Sequence, residues 1–580
     1  EMFSKNSERV MAQQKAPLRI IMGNPPYSVG QKSANDNAQN MSYPKLEKRI
    51  ADTYAKWSKA SSVKALYDSY IKAFRWASDR LDPENGGIIA FVSNSGWLEG
   101  NGMDGFRKNL EEEFSAVYVF DLRGNCRTSG ELRQREAGNI FGLGSRTPIA
   151  ITILVKKPEH NDKAVIRYCD IGDYLSRDEK LAKISQLGSI SAPEMEWQDI
   201  IPNDKYDWIN QRDDLFEKFV PIAPEVKFTT ASKSYFVTYS LGINTNRDGW
   251  VYNSSRESLI ANIGKMVDFY NSEVSRFQKA LAENPSLKAE EYVEYAKDKI
   301  NWTSSLIPHV QAGRKAAFEP HKICQAMYRP FMRQWLYIGD KMIHRPGLFD
   351  RFFPTPETQN LVICVSGIGV TKDFSAIITD ITPDLELIGK SQCFPLYYYE
   401  RKTNFQPDLF EPQTEGEYTR HDAVTDFIYD RCRGKYGFKT TKEDIFYYVY
   451  GLLHHPRYKE RFAADLKKSL PRIPLVKSAD DFRAFAKAGR QLAELHLRYE
   501  SVEPYRELDI TGLERNDFRV EKMRFADKDA KDVIIFNRHI RISGIPSAAY
   551  DYIVNGKSAI EWLMERYQVT QHKDSGIIND

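Results

Sequence analysis

The tetrapeptide Asn24-Pro25-Pro26-Tyr27 directly follows an apolar run, Leu18–Met22, of the kind that forms a strand. The side-chain oxygen of Asn24 and the carbonyl of Pro25 are two hydrogen-bond acceptors, and the prolines fix the backbone that carries them. Tyr27 adds a flat aromatic face. This set suits an amine conjugated to a planar base, because the acceptors hold the amine hydrogens while the base stacks on the ring. A plain proline-rich turn is the alternative that four residues leave open.

The elements that would position this tetrapeptide are predicted from apolar periodicity as far as residue 160. Helical spacing runs from Tyr43 to Leu81, and a second helix is predicted near Gly102–Phe114. One face of the first helical region consists of Leu66, Tyr70, Phe74 and Ala77. Runs typical of buried strands lie at Ile88–Val92, Ala116–Leu122 and Ile149–Lys156. This alternation predicts an α/β fold with a parallel or mixed sheet.

A loop rich in glycine and arginine precedes the last of these strands. Its arginines are Arg123, Arg127, Arg133, Arg135 and Arg146, and it contains no lysine. Guanidinium groups among glycine and serine suit contacts to DNA phosphates beside an extruded base. Phe141 stands where a second aromatic side chain could close over that base. A solvated surface loop and a phenylalanine of the core are the alternatives.

The sequence after residue 160 changes to a mixed α+β pattern. Helices are predicted within 256–296 and 443–500, strands within 318–399, and a linker near 403–420. Arg247 and Arg333 lie among amide and aromatic residues, a mixture that can contact base edges in a major groove. Polar turns around core aromatics explain the same residues equally well.

Taken together, these segments resemble a known family. The tetrapeptide is similar to motif IV of the methyltransferases that modify the amino group of adenine in DNA. Essentially the whole chain resembles the methyltransferase and specificity regions of the single-polypeptide Type I (Type ISP) restriction-modification enzymes. The blocks that carry the resemblance are Leu66–Tyr70, Gly87–Asn94, Arg123-Gly124-Asn125, Phe141–Arg146, Glu443–Gly451, Leu470–Pro474 and Tyr552–Ser558.

The resemblance implies an incomplete Rossmann-like methyltransferase sheet over residues 1–160, carrying motifs IV to VIII. A larger α+β target-recognition domain would follow over residues 161–580, with a helical segment at 443–500. The implied activity is site-specific N6 methylation of adenine in double-stranded DNA, with S-adenosylmethionine as the methyl donor and without a metal. Asn24, Pro25, Pro26 and Tyr27 would be its catalytic residues, and the adenine would be flipped out of the duplex.

One feature of the family is missing from this sequence. The family holds S-adenosylmethionine in a glycine-rich turn upstream of motif IV, but only 23 residues precede Asn24 and none forms such a turn. We therefore expect the cofactor-binding residues, the helicase and the nuclease upstream of Glu1 in a longer polypeptide. A catalytically inactive, DNA-binding specificity fragment is the alternative. An RNA or protein amino-methyltransferase is a further one, which the long C-terminal region disfavours.

Two other segments only partly match nucleotide-binding turns. Val365-Ser366-Gly367-Ile368-Gly369 follows an apolar run, as the cofactor turn of a circularly permuted methyltransferase would, but Asp380 and Thr382-Pro383-Asp384 interrupt the helix that should follow. Asn555-Gly556-Lys557-Ser558 lacks the first glycine of a phosphate-binding loop, because Asp551 occupies that position. We expect neither segment to bind a nucleotide.

Composition and charge exclude several classes of protein. Lys+Arg number 82 and Asp+Glu 79, so any binding of nucleic acid must come from local clusters of basic residues. Hydrophobic residues make up 42%, which excludes a largely disordered chain. The apolar runs are too short to span a bilayer, and we expect no export because the first residues do not show the charged-then-apolar pattern of a leader. The six cysteines are scattered singly, which fits a reducing compartment and predicts a cytoplasmic protein.

Overall fold

The computed structural model describes residues 2–27, 40–60, 62–128, 130–142, 145–160, 162–229, 231–339, 341–402, 417–527 and 530–579. The chain divides into two compact units, Glu1–Arg212 and Asp213–Asp580, which are called the N-terminal and C-terminal units below. None of the described helices combines the length and the apolar character that crossing a membrane requires.

One six-stranded mixed sheet forms the frame of the N-terminal unit, in the order β1-β2-β4-β3-β5-β6. β1 is parallel to β2 and β3 is parallel to β5, whereas β4 is antiparallel to both of its neighbours and β6 is antiparallel to β5. The strands are β1 (Ile20–Gly23), β2 (Gly87–Asn94), β3 (Ala116–Asp121), β4 (Ile149–Lys156), β5 (Val165–Asp170) and β6 (Gln198–Ile200). The helices are α1 (Met2–Lys15), α2 (Pro44–Ile50), α3 (Ser69–Arg80), α4 (Asp104–Glu113), α5 (Gly130–Glu136) and α6 (Arg177–Leu187).

The main core of this unit lies between the sheet and helices α2 to α4. The predicted face of Leu66, Tyr70, Phe74 and Ala77 is buried there, as the helical spacing indicates. The helical region is not continuous, however, because a π-helical turn at Ala51–Ala55 and a 3₁₀ turn at Lys64–Tyr67 interrupt it. Gly105 of α4 permits the close packing, since a Cβ atom there would lie 1.9 Å from the carbonyl oxygen of Tyr54.

The boundary between the two units differs from the predicted division at residues 160 and 161. Residues 165–170 form β5, which continues the same sheet by pairing in parallel with β3, and β6 extends it further. Ile166 is buried in the core of the N-terminal unit. The division therefore falls after Arg212, because the strand that follows β4 completes this sheet instead of starting a new one.

The C-terminal unit is an α+β assembly of several small sheets and packed helices. Its helices are α7 (Asp214–Glu217), α8 (Asp248–Val251), α9 (Arg256–Glu283), α10 (Ala289–Tyr292), α11 (Ile307–Gln311), α12 (Phe349–Phe352), α13 (Asp426–Tyr436), α14 (Lys442–Leu453), α15 (Pro456–Arg461), α16 (Ala463–Lys468), α17 (Ala479–Leu497) and α18 (Ala559–Arg566). Its strands are β7 (Val220–Pro221), β8 (Ser240–Leu241), β9 (Tyr252–Asn253), β10 (Ile323–Arg329), β11 (Met332–Tyr337), β12 (Val362–Val365), β13 (Ala376–Thr379), β14 (Thr382–Pro383), β15 (Gln392–Pro395), β16 (Tyr397–Arg401), β17 (Tyr418–Asp422), β18 (Arg472–Ile473), β19 (Asp509–Thr511), β20 (Arg524–Phe525), β21 (Ile534–Ile535), β22 (Arg541–Ser543), β23 (Ile553–Val554), β24 (Lys557–Ser558), β25 (Thr570–Gln571) and β26 (Ile578–Asn579).

Three four-stranded sheets organise these strands, in the orders β14-β10-β11-β9, β13-β12-β15-β8 and β19-β22-β21-β20. The strands of the middle sheet are entirely antiparallel, and β12 is followed directly by its hairpin partner β13. The circularly permuted alternative is therefore wrong, because a cofactor turn at Gly367 and Gly369 would have to lead into a helix.

The helical segment predicted at 443–500 is present as α14 to α17, and its proline breaks fall where expected. Pro456 is the first residue of α15, while Pro471 and Pro474 lie between α16 and α17. Helices α14 and α17 cross closely at Gly451 and Gly489, where a Cβ atom on Gly489 would lie 2.0 Å from the carbonyl oxygen of Tyr447.

The linker predicted near 403–420 lies largely outside the described residues, which resume at 417. The prediction of a linker is wrong for residues 418–420, because Tyr418–Asp422 is strand β17 and pairs with β16.

Candidate active site at one edge of the N-terminal sheet

The loops that follow four of the strands begin at one edge of the sheet, which is the edge formed by the carboxyl ends of those strands. β1, β2, β3 and β5 all run the same way, so their carboxyl ends meet at that edge, where the antiparallel β4 begins. In open α/β sheets, ligands bind outside the carboxyl ends of the strands. The tetrapeptide that begins at Asn24 follows β1 there, and the arginine-rich loop that begins at residue 123 follows β3.

The four residues of the tetrapeptide differ in their exposure to solvent. Asn24 and Pro26 are exposed, Pro25 is buried and Tyr27 is half-buried. The Tyr27 and Tyr70 rings pack edge to face, with a centroid distance of 6.5 Å and an angle of 84° between their planes. Burial raises the pKa of Tyr27, and a hydrogen bond with Ser145 partly offsets that rise. The asparagine amide is thus accessible while the proline that follows it is anchored.

Asn139 holds the arginine-rich loop together. Its buried side-chain amide donates to the carbonyl oxygens of Gly124, at 2.9 Å, and Thr147, at 2.8 Å, near the two ends of the loop. Its Oδ1 atom accepts from the backbone N–H of Phe141 at 3.0 Å. One amide therefore ties the loop closed, and Phe141 follows it with a side chain that is 38% exposed. The exposed ring is available to a ligand and does not belong to the core.

The five predicted arginines are not equivalent. Arg127 and Arg146 are exposed. Arg123 is half-buried and forms ion pairs with Asp170 and Asp173. Arg135 also pairs with Asp173, at 2.9 Å, and Arg133 donates to the carbonyl oxygen of Ala137. Arg127 and Arg146 are the better placed for phosphate contacts, whereas Arg123 primarily fixes the loop.

A carboxylate with a raised pKa lies beneath this loop. Burial raises the pKa of Asp121, the last residue of β3, to about 7, although the backbone N–H of Arg123 donates to it at 3.0 Å. The nearby Asp170 raises that pKa further, and the Tyr168 hydroxyl lies 3.3 Å from Asp121 Oδ2. Asp121 is therefore poised between its neutral and charged forms near neutral pH.

Arg247 is corrected by the structure. It is 3% exposed, and its guanidinium donates to the Asn301 carbonyl, the Met342 carbonyl and the Thr303 hydroxyl. Its N–H groups donate to acceptors within the C-terminal unit, because a buried guanidinium needs hydrogen-bond partners from the protein. Arg247 is a structural residue and not a base contact.

Arg333 is held within the C-terminal unit but is not fully enclosed. Its Nη2 atom donates to the carbonyl oxygen of Leu497 at 2.9 Å, and its guanidinium lies 5.7 Å from the centroid of the Tyr499 ring. The side chain remains 26% exposed. A role for Arg333 in reading a base stays a prediction.

Sequence reasoning missed the residues that support this edge. Asp170 and Asp173 lie beyond the predicted boundary at 160, so no partner for Arg123 was expected there. Asn139 and Ser145 belong to the predicted loop, but a single amide or hydroxyl carries no periodic signal. The acidic sequence Asp170-Ile171-Gly172-Asp173, directly after an apolar run, was the available indication.

The chain thus consists of a mixed sheet whose first strand leads into Asn-Pro-Pro-Tyr, followed by an α+β unit. Known proteins with this architecture are similar to it in sequence as well. Residues 234–580 match the family model of the Type ISP C-terminal specificity domain, so the chain belongs to the Type ISP restriction-modification family. No curated protein matches the chain at a significant level.

Solved structures of Type ISP enzymes are similar to the whole chain. A nuclease-deletion mutant of LlaGI in complex with a DNA substrate mimic is 39% identical, with a TM-score of 0.84 over 100% of this chain and 43% of that one. The ATP-dependent enzyme LlaBIII bound to DNA is 35% identical, with a TM-score of 0.84 over 100% and 36%. A DrdV–DNA complex is 32% identical, with a TM-score of 0.81 over 98% and 54%. The chain thus spans roughly two fifths of the LlaGI and LlaBIII chains.

Proposed function

We propose that this chain is part of an enzyme that methylates the N6 amine of adenine at a specific sequence of double-stranded DNA. The observation that carries the proposal is the position of Asn24-Pro25-Pro26-Tyr27, directly after β1 at the edge where the parallel strands of the sheet end. Membership of the Type ISP restriction-modification family supports it.

The chain's own residues act on the target base. The Asn24 Oδ1 atom and the Pro25 carbonyl oxygen accept the two amine hydrogens, which keeps the nitrogen lone pair out of conjugation and directs it at the donor. Tyr27 stacks on the flipped adenine, and Phe141 covers its other side. As the new bond between the amine nitrogen and the methyl carbon forms, the bond between that carbon and the sulfonium sulfur would break with its electron pair remaining on sulfur, and one amine proton leaves to solvent. Neither a covalent enzyme intermediate nor a metal takes part.

The methyl donor in this proposal is S-adenosylmethionine, which supplies an electrophilic methyl group. The described residues before β1 contain no glycine, so the glycine-rich donor turn that the family carries upstream of the tetrapeptide is not among them. β1 is one of the two outermost strands of the sheet, and Ile20 and Met22 on it are 64% and 74% exposed. We propose that strands from the rest of the polypeptide pair with β1 and hold the donor. Calorimetry on the 580-residue chain should then detect no tight donor binding.

DNA recognition in this proposal falls to the C-terminal unit. The Type ISP enzymes LlaGI and LlaBIII are seen with DNA, and each covers this chain completely. The specificity domain of the family accounts for residues 234–580, most of the C-terminal unit. The exposed Arg127 and Arg146 of the N-terminal unit would contact phosphates next to the flipped base.

Identification of the modified nucleoside tests the proposed reaction. The full-length enzyme that contains these residues is incubated with duplex DNA and S-adenosylmethionine, and the product is digested and analysed by mass spectrometry. N6-methyladenine at one sequence is expected. Methylcytosine, or methylation of protein or RNA in place of DNA, would refute the assignment. If no methylated nucleoside forms but binding is sequence-specific, the inactive specificity fragment is the better account.

A further inference from the structure

Two glycine-containing segments, Val365–Gly369 and Asn555–Ser558, lie next to each other in the C-terminal unit. Asn555 and Gly556, with φ angles of 50° and 80°, form the two-residue turn between β23 and β24, which matches the preference of such hairpins for Asn-Gly. The backbone N–H of Asn555 donates to the Ser375 hydroxyl at 2.8 Å. Ser375 ends the loop that joins β12 to β13, so the hairpin docks on the base of the loop that carries Gly367 and Gly369.

This contact brings three basic side chains around one indole ring. The Nζ atoms of Lys372 and Lys557 lie 5.6 Å and 4.9 Å from the centroid of the Trp562 ring, and Arg566 Cζ lies at 5.5 Å. Trp562 is 3% exposed and is fixed by donation from Nε1 to the Val554 carbonyl at 2.8 Å. The three cations come from a loop, a hairpin and a helix, so only the folded unit assembles them.

Acidic groups do not fully compensate this cluster. Glu565 pairs with both Lys557 and Arg566. Lys372 Nζ makes no hydrogen bond or ion pair within the described part of the chain, and the Nε atom of Arg566 is buried there without a hydrogen-bond partner. More distant charges act on the cluster as well, with Glu386 and Glu561 attracting its lysines and Arg329 repelling Lys372 and Arg566.

Burial first, and repulsion between like charges second, lower the pKa values of the lysines in this cluster. Burial, and then repulsion by Lys372 and Arg566, lower the pKa of Lys557 to about 8. Burial and Arg566 also lower the pKa of Lys372. An anion placed among these groups would relieve the repulsion and raise both pKa values, so the folded unit maintains an arrangement that a bound anion stabilises.

We propose that Lys372, Lys557 and Arg566 around Trp562 form a binding site for one backbone phosphate of duplex DNA. The proposal rests on the proposed function, because DNA recognition by the C-terminal unit makes a nucleic-acid phosphate the source of the anion. The loop before Lys372 suits such an approach, since Ile368 is 40% exposed and nothing lies within 4 Å of a Cβ atom built on Gly369. A phosphate contact fixes register and orientation and carries no sequence information.

Lys372→Gln tests the site without removing a hydrogen bond, and Lys372→Arg restores the charge. Lys279→Gln is the matched control, because Lys279 is an exposed lysine on α9 of the same unit. Dissociation constants for cognate and random duplexes are measured on the full chain over a range of salt concentrations. Lys372→Gln should weaken both duplexes by the same factor, roughly three- to tenfold at low salt, and reduce the salt slope by about one.

The outcomes separate this site from the proposed function. If Lys372→Gln keeps the wild-type slope and affinity, or changes the preferred sequence, the phosphate site is refuted while DNA recognition stands. If the wild-type chain binds no duplex, the site and the DNA-binding part of the proposed function both fail. Inorganic phosphate that binds saturably at Lys372, with DNA binding unchanged in the variant, would identify a site for a free anion and overturn the proposal.

Discussion

The guanidinium of Arg123 is clamped by the carboxylate of Asp170, with Nε 2.8 Å from both carboxylate oxygens. Arg123 is the second residue after β3, which ends at Asp121, and it has a φ of 54°, a conformation that most side chains avoid. Asp170 ends the neighbouring parallel strand. This ion pair therefore fixes the start of the arginine-rich loop to the edge of the sheet where the tetrapeptide lies.

Asp170→Asn should loosen this loop and destabilise the N-terminal unit. The variant replaces a charge-assisted hydrogen bond by a neutral one, and both partners are about one quarter exposed, so a loss of about 1–2 kcal/mol is expected. Urea unfolding of the full chain measures it. Asp178→Asn is the control, because Asp178 is 89% exposed and lies 3.6 Å from its neighbour Arg177. Equal stabilities of the two variants would contradict the structural role of the pair.

The alternating elements of the N-terminal unit could be predicted because its strands are apolar and its helices are amphipathic. Ile149–Lys156 is β4 with the predicted bounds, and the helical face that includes Leu66 and Phe74 is buried. The end of the unit could not be predicted, because β5 has the same local pattern as a strand of a separate domain. Only its pairing with β3, which is not encoded within residues 165–170, assigns it to this sheet.

Arg247→Met should destabilise the C-terminal unit and leave the preferred DNA sequence unchanged. Removal of the guanidinium takes the donor away from the Asn301 and Met342 carbonyl oxygens and the Thr303 hydroxyl, which is expected to cost about 3 kcal/mol or more. Arg345→Met is the control, because Arg345 is exposed and pairs with Asn244 through backbone atoms alone. Urea unfolding and competition among randomised duplexes test the pair of variants. A changed base preference in correctly folded Arg247→Met would restore the original prediction.

Candidate site residues could be predicted where they belong to a recognisable motif. They could not be predicted where their role depends on whether the side chain is buried or exposed. Asn24 and Tyr27 belong to a recognisable tetrapeptide, and it follows strand β1 directly. Arg247 and Arg127 look alike in sequence, yet one donates within a core and the other is exposed. A basic residue type does not specify whether its partner is a carbonyl oxygen of the protein or a phosphate of DNA.

The stability of the C-terminal unit should fall as the pH decreases from about 6.5, in part because of His496. This residue is 6% exposed, its Nδ1 atom lies 2.5 Å from the Tyr450 hydroxyl, and the rings of His454, Tyr552 and Phe331 face it. Burial, followed by repulsion from His454, lowers its pKa to about 3. His496 therefore binds a proton near pH 6.5 in the unfolded chain but only near pH 3 in the folded chain, so acidification favours the unfolded chain.

Between pH 7.5 and pH 5 this difference should remove about 2 kcal/mol from the free energy of unfolding. His496→Gln should lower the stability at pH 7.5 but show a correspondingly weaker dependence on pH. His321→Gln is the control, because His321 is 74% exposed. Urea unfolding at the two pH values provides the measurement, and an unchanged pH dependence in His496→Gln would rule out this residue as the source.

The most direct test of the account compares turnover with DNA affinity in Asn24→Ala of the full-length enzyme. The Asn24 oxygen acts on the positive charge that develops on the amine in the transition state, so its loss should reduce kcat on the order of 100-fold or more and change the dissociation constant for cognate DNA by less than about twofold. Asn6→Ala, on the exposed surface of α1, is the control and should retain both. Near-normal methylation by Asn24→Ala would contradict the assignment of the active site.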